Sequence, residues 1–508
     1  MNLLRIDAWQ HPYYGLRPEE TNCELPSLNA LSNAAIPINR LPTELMVEIF
    51  SVVQMDEARE LEMRWLSIPR VCRRWYWIAA TTPDLWRWLY ATSSLNYMKT
   101  CLVRSKDRTV SVVTGSTWIV PSALQLVSPQ FHRVRHLQLA VGRRDAPVLN
   151  VILGSRMSVL EALEVTVIKT LLDTSEMVME FYPERFPVLS ELHLVGVHLL
   201  PSGVLRQLKV LSIHDWFGMS PGLTLDALSS ILRELTNVER LTLCDIICHD
   251  HETPPAPSIA PDIYLPKLKA FTLDSLTSVM KHVLSALSIP PSARVVIRRA
   301  ADSATESTEE LSAQGVRVVL PVNRSSLPIL SNITKASLGI LESEHTIQGS
   351  APPTVEGEDG GSFLCSLETP EYYDGPPLLL DDFVDVFRHA PLEALHITVD
   401  VNLAASIDWR TALVSFPYLR ELTVSGTTED GTADPIFSAL DPENAPPSTS
   451  SVLCPRLRTL RIEGFGLAAD AFLAAARRCL ARRRDVLGDP DALAELSFGV
   501  HPDGDAEP

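Results

Sequence analysis

The chain holds no run of about 18 apolar residues, the length a membrane-crossing helix needs. Its opening residues, Met1-Asn2-Leu3-Leu4-Arg5-Ile6-Asp7, lack the apolar core of a secretory leader. Cysteine is sparse: the 8 present are scattered without paired spacing. That excludes a disulfide framework and points to free thiols in a reducing compartment, the cytosol or the nucleus. Basic charge is also short, with 44 Lys and Arg against 62 Asp and Glu, a net charge of −18. Such a balance opposes nucleic-acid binding, whose affinity comes from neutralising phosphates. Neither nucleic acid nor membrane is expected as a partner.

Catalytic motifs are missing as well. No Gly-Xaa4-Gly-Lys phosphate loop, His-Glu-Xaa2-His helix or Gly-Xaa-Ser-Xaa-Gly turn occurs. A cysteine hydrolase needs a thiolate beside an imidazole. Cys72 belongs to a packing stripe and Cys454 to a repeat phrase, so neither suits that role. The expectation is a non-enzyme with no cofactor, no metal and no catalytic residue.

What is present is a chain of 508 residues, 46% hydrophobic and 21% charged. This allows several globular domains of roughly 150 residues each. Near the amino end two amphipathic helices are predicted. The first starts at Leu41-Pro42, because proline suits a first helical turn and Glu44 meets the positive end of the helix dipole. Leu45, Ile49, Phe50 and Val53 give it one apolar side. The second is expected to be capped by Ser67, with Pro69 in its first turn. Ile68, Val71, Cys72, Trp75, Ile78 and Ala79 recur at helical spacing along it. Thr82-Pro83 stops it, and Leu85 and Trp86 follow. Two short helices cannot bury such faces alone, so a docking module is expected.

These residues resemble an F-box. The pattern reads Leu41-Pro42, Glu44-Leu45, Ile49-Phe50, Val71-Cys72-Arg73-Arg74-Trp75 and Pro83-Asp84-Leu85-Trp86. The variant with Cys-Arg-Arg-Trp and Thr-Pro-Xaa-Leu-Trp resembles the F-box proteins of mushroom-forming fungi. One departure is the segment Gln54 to Arg64, longer and more acidic than the usual short link. The resemblance implies a partner, the Skp-type adaptor of SCF ubiquitin ligases. It implies that Leu41, Pro42, Leu45, Ile49, Phe50, Val71, Cys72, Trp75 and Trp86 divide between the module's own core and that adaptor.

Further on, a phrase recurs with apolar residues at i, i+3 and i+5. Leu189/Leu192/Leu194, Leu268/Phe271/Leu273, Leu419/Leu422/Val424 and Leu457/Leu460/Ile462 follow a proline; Val134/Leu137/Leu139, Leu160/Leu163/Val165, Leu208/Leu211/Ile213, Val238/Leu241/Leu243 and Leu392/Leu395/Ile397 do not. The last two positions alternate onto one face of a short strand. A lone strand of this kind buries little, whereas stacked copies share a core. Spacings of 19 to 30 residues lie near the leucine-rich-repeat range of about 20–29. Helix-like segments at 225–235, 279–287 and 383–389 lie between. The fold class expected is α/β, a small all-α F-box module followed by an irregular leucine-rich-repeat solenoid, a parallel curved sheet with outer helices.

The expected organisation is an N-terminal extension (1–36), the F-box-like module (37–92), a first solenoid stretch (93–300), decayed repeats (301–340), an acidic disordered loop (341–378), a last solenoid stretch (379–500) and an acidic tail (501–508). From Leu341 to Asp382 there are ten acids and no Lys or Arg. Such a segment buries too little to offset its ordering entropy. His193, Ser212, Thr242, Thr272, His396, Thr423 and Arg461 fall between the buried strand positions and are expected to face outward, toward a protein target. Two clusters invite chemistry and are read as bland. Cys244, Cys248, His249, His251 and Glu252 lack a second ligand pair. Arg477, Arg478, Arg482, Arg483 and Arg484 read as a solvated helix end. The resulting expectation is a non-catalytic substrate-recognition subunit of an SCF-type ligase, the alternative being a binding scaffold that engages no cullin.

Overall fold

The computed structural model describes residues 32–60, 64–90, 95–113, 121–142, 146–168, 178–214, 224–246, 262–299, 319–321, 324–340, 344–353, 360–368, 379–399, 408–426, 434–444, 452–464, 469–489 and 495–499. The chain divides into two compact units at Leu208/Lys209. The boundary falls inside the stretch expected to be one solenoid segment. The helical module does not separate from the strands that follow it.

The first unit opens with α1 (Thr43–Glu60), a 3-10 segment (Arg64–Arg70), α2 (Arg73–Thr81) and a short 3-10 turn (Pro83–Trp86). Strands β1 (Trp88–Tyr90), β2 (Val110–Val113), β3 (Val134–Gly142), β4 (Ala162–Ile168) and β5 (Glu191–Val195) then pair in chain order, all parallel. Parallel neighbours need a crossover between them. Helices α3 (Leu95–Arg104), α4 (Pro121–Val127) and α5 (Ala146–Gly154) lie in the first three crossovers.

The second unit repeats this scheme with one interruption. Its strands are β6 (Val210–His214), β7 (Arg240–Ile246), β8 (Ala270–Ser275), β9 (Arg294–Arg299), β10 (Lys335–Ile340), β11 (Glu344–Ser350), β12 (Ser362–Glu368), β13 (Ala394–Val399), β14 (Glu421–Gly426), β15 (Thr459–Glu463) and β16 (Glu495–Gly499). Their order across the sheet is β6-β7-β8-β9-β12-β11-β10-β13-β14-β15-β16. Among the described strands of this unit, β11 alone runs antiparallel to its two neighbours, β10 and β12. Helices α6 (Leu225–Glu234), α7 (Thr277–Ala286), α8 (Leu379–Phe387), α9 (Trp409–Val414), α10 (Asp434–Leu440) and α11 (Ala469–Leu487) occupy the connections.

The recurring phrase explains the core. All three apolar positions of every copy are buried, from Val134/Leu137/Leu139 to Leu457/Leu460/Ile462. The two strand positions lie in register with their counterparts next door: Leu241 pairs with Phe271, Leu243 with Leu273. The turn before each strand stacks on the last through backbone bonds, as from Glu239 N to Lys209 O (2.7 Å), Lys269 N to Glu239 O (2.8 Å) and Arg294 N to Lys269 O (2.8 Å). The mixed α/β architecture with a mostly parallel sheet in each unit therefore follows from that spacing.

Three expectations are corrected. The acidic stretch 341–378 is not structureless throughout, because β11 and β12 lie within it and are hydrogen-bonded along their lengths. Alternation of Phe363 and Cys365, both fully buried, supplies the apolar face that composition concealed. Of the stretch expected to hold decayed repeats (301–340), Ala336–Leu338 lies in β10, but Val319 begins a turn. Residues 249–261, 316–318 and 501–508 lie outside the described residues. Ser212, expected to face outward, is buried; its hydroxyl meets His214 Nε2 at 2.9 Å.

Candidate protein-docking site

The first helix starts one step later than the Leu-Pro pair. Leu41 and Pro42 precede Thr43, and the Pro42 carbonyl accepts the first turn's bond from Met46 N at 3.2 Å. The helix runs on to Glu60, so most of the acidic segment read as a link is helical. Its buried row is Met46, Phe50 and Gln54, a spacing of four along one face. Gln54 is tolerated inside because its amide donates to the Leu85 carbonyl at 2.8 Å. Leu45 (45% exposed) and Ile49 (37% exposed), with Val52, make a second row open to solvent. Leu45 and Phe50 stand about 140° apart on a helix of 3.6 residues per turn, which is why they do not share one buried stripe.

The second helix is broken where continuity was expected. Pro69 lies inside a 3-10 segment, Val71 N bonds back to Ile68 O at 3.1 Å, and Cys72 is extended with φ −157° before α2 begins at Arg73. Ile68, Ile78 and Ala79 are buried, whereas Val71 is 56% exposed and Cys72 and Trp75 are half-buried. The break turns Val71 away from the stripe to which its spacing assigned it. Trp77, 64% exposed, and Tyr76 add further apolar surface on α2.

The module's interior is aromatic. Trp65 and Trp86 meet edge to face at 5.1 Å, and the Trp86 indole N–H donates to the Ala79 carbonyl at 2.7 Å. The Arg104 guanidinium lies 4.4 Å over the Trp86 ring, a cation–π contact between α3 and the module. Phe50 packs against Trp75 at 5.2 Å. The Trp75 indole N–H donates to Asn39 Oδ1 at 2.5 Å, and Arg74 Nη2 donates to the Leu41 carbonyl at 2.5 Å. These bonds hold the Leu41-Pro42 corner against α2. In the division expected between core and adaptor, Phe50 and Trp86 fall on the core side, since both are sealed by the chain itself. Leu41, Pro42, Leu45, Ile49, Val71, Cys72 and Trp75 remain accessible in whole or part. The sequence reading missed Met46 because Leu45 beside it looked equivalent. It missed Val52 and Trp77 because an exposed apolar residue leaves no mark in periodicity.

Outside the module, the other outward strand positions are accessible. His193, Thr242, Thr272 and Thr423 are half-buried, and His396 and Arg461 are exposed. In the second unit His396, Thr423 and Arg461 share one register row, and His396 Nε2 lies 3.1 Å from Ser425 Oγ. The arginine cluster on α11 is not wholly solvated. Arg483 is buried and donates to three backbone carbonyls, while Arg482 pairs with Asp441 at 2.8 Å. Of the Cys/His cluster only Cys244 is described; burial, aided by Asp274 and Asp245, pushes its thiol up to about 12. No three described His, Cys, Asp or Glu are placed to hold a metal ion. Ser111 Oγ and His136 Nδ1 meet at 2.9 Å, with Trp88 stacked on the imidazole, but the described residues supply no third hydrogen-bonded member. No described helix is long and apolar enough to cross a membrane.

A self-sealed aromatic core with an apolar row left outside defines a module built to meet another polypeptide. The F-box-like family model matches residues 38–92, the segment that spans α1, α2 and the Trp86 turn. The chain thus carries an F-box-like domain, the mark of a protein-interaction adaptor. Comparison of the whole sequence with curated proteins returns no match.

Proposed function

We propose that the chain is the substrate-recognition subunit of an SCF-type ubiquitin ligase, working in the cytosol or nucleus. The F-box-like domain docks a Skp-type adaptor, and the sheet units, read as divergent leucine-rich repeats, hold a protein target. The chain makes no covalent bond itself. The observation that carries this reading is the double row on α1: Met46, Phe50 and Gln54 inside, Leu45, Ile49 and Val52 outside. Each large apolar side chain removed from water contributes about 1.5–3 kcal/mol, so this row with Val71 and Trp77 suffices for a stable contact. The buried row keeps the module folded while the open row is spent on the partner.

Co-purification of the full chain with a Skp-type adaptor tests it. Ile49→Asp with Val71→Asp is expected to abolish capture while leaving the circular dichroism spectrum unchanged. Unchanged capture by a folded double variant would reject the reading. Cullin in the captured complex is the expected sign of ligase assembly; its absence would favour a scaffold outside the ligase.

A further inference from the structure

We infer that the open face of β7, β8 and β9 is a docking strip for an acidic peptide segment. This names the target's chemistry for the reading above and rests on it. The core face of these strands carries Leu241, Leu243, Phe271, Leu273, Val295 and Ile297, all buried. Alternation sends the intervening residues to the opposite face. Register then sets them in three rows: Arg240–Ala270–Arg294, Thr242–Thr272–Val296 and Cys244–Asp274–Arg298, of which Val296 is buried and Thr242 and Thr272 are half-buried.

Arg240, Arg294 and Arg298 are all exposed. None has a carboxylate partner among the described residues, although the protein carries a surplus of acids at net −18. Lys269, in the turn before β8, is by contrast spent on Glu239 at 2.7 Å. With strands about 4.8 Å apart and a rise of about 3.3 Å per residue, Arg240 and Arg294 are rooted about 10 Å apart and Arg294 and Arg298 about 13 Å apart. The three guanidiniums border a floor bearing the hydroxyls of Thr242 and Thr272. A guanidinium offers forked donors that match a carboxylate, and the threonine hydroxyls add neutral donors between.

Charge selects the occupant. Asp274 stands in the same patch, and the chain as a whole repels polyanions. A long, uniformly charged nucleic acid is thus disfavoured. A peptide with carboxylates separated by uncharged residues can set its charges on the arginines and clear Asp274.

Fluorescence anisotropy of a fluorescein-labelled peptide of alternating Glu and Ser, titrated with the full chain at low salt, tests this. Binding is expected, weakened roughly tenfold in the Arg240→Ala/Arg294→Ala/Arg298→Ala variant and by added salt. Arg478→Ala, at an exposed position on α11 and off the sheet face, is expected to bind like the parent. Equal binding by parent and triple variant overturns the proposal, as does tighter binding of an oligothymidylate of equal length. If the parent captures the Skp-type adaptor but ignores the peptide, the strip falls and the ligase reading stands. Failed capture with arginine-dependent peptide binding reverses that outcome, so the two fail separately.

Discussion

The guanidinium of Arg483 lies inside the second unit and donates through Nη2 to the backbone carbonyl of Cys454 at 2.9 Å. The same group reaches Leu440 O at 3.2 Å and Leu453 O at 2.9 Å. It thereby ties α11 to the end of α10 and to the turn before β15. Burial holds its pKa below the ordinary arginine value. The site gives it dipoles in place of a counter-ion, and the neighbouring Arg482 takes the carboxylate of Asp441. Truncating Arg483 to Ala would strand three carbonyls and open a cavity. A loss of about 2–4 kcal/mol is expected, read as a lowered urea midpoint. Arg478→Ala, at an exposed position on the same helix, should move stability by less than about 0.5 kcal/mol.

The two rows of α1 should respond in opposite ways. Phe50→Ala removes a fully buried ring from its contact with Trp75 and should cost about 3–5 kcal/mol. Ile49→Ala is expected to change stability by less than about 0.5–1 kcal/mol while weakening adaptor capture. Thermal melts and pull-downs of the two single variants separate these effects. A stable Phe50→Ala protein would mean that the ring is not part of the module's core.

His345, on β11 in register with Ile340 and Leu367, has its imidazole pKa lowered by burial. Above about pH 6.5, the ordinary value, the ring is neutral in both folded and unfolded chains. Below it the unfolded chain takes up a proton that the folded chain resists. Stability should therefore fall as pH drops through that value, until the folded-state pKa is passed. His345→Gln should flatten this part of the pH profile in thermal denaturation. A slope unchanged by the substitution would assign the acid sensitivity elsewhere, with His136, lowered by burial and by Arg135, as the next candidate.

Gly464 closes β15 with φ +70°, and a Cβ there would collide with the carbonyl oxygen of Gly426 at the end of β14. A left-handed backbone and a close approach coincide, so alanine should cost about 1–3 kcal/mol. Chemical denaturation of Gly464→Ala measures it. Gly154→Ala, where nothing lies within reach of a new Cβ, is the matched substitution expected to be neutral or mildly stabilising.

Where the sequence was legible, it was so because the side chains repeat a geometric requirement. Leu211/Ile213, Leu241/Leu243 and Phe271/Leu273 must alternate inward beside identical neighbours, and their spacing says so. β11 gave no such signal: of Glu344 to Ser350 only Ile347 is a large apolar residue, and its place depends on β10 and β12 on either side. The break at Cys72 was concealed because Val71, Cys72 and Trp75 fit helical spacing as well as they fit the broken form. Ser212 followed the outward pattern of its strand, yet burial there is decided by neighbours that alternation does not describe. The F-box-like domain could be found from residue types, but the division of Leu45 from Met46 needed the helix's actual rotation.

The reversal of β11 bears on how the second unit assembles. An uninterrupted parallel ribbon can grow like a zipper, each strand closing on the one made just before. Here β9 must leave its edge vacant until β12 arrives, and β13 closes on β10, a strand made three steps earlier in the chain. Synthesis therefore places the three-strand clasp between a half-ribbon already made, β6 to β9, and one still to come, β13 to β16. A lesion in that clasp would strand both halves, each intact, with unpaired edges exposed to quality control.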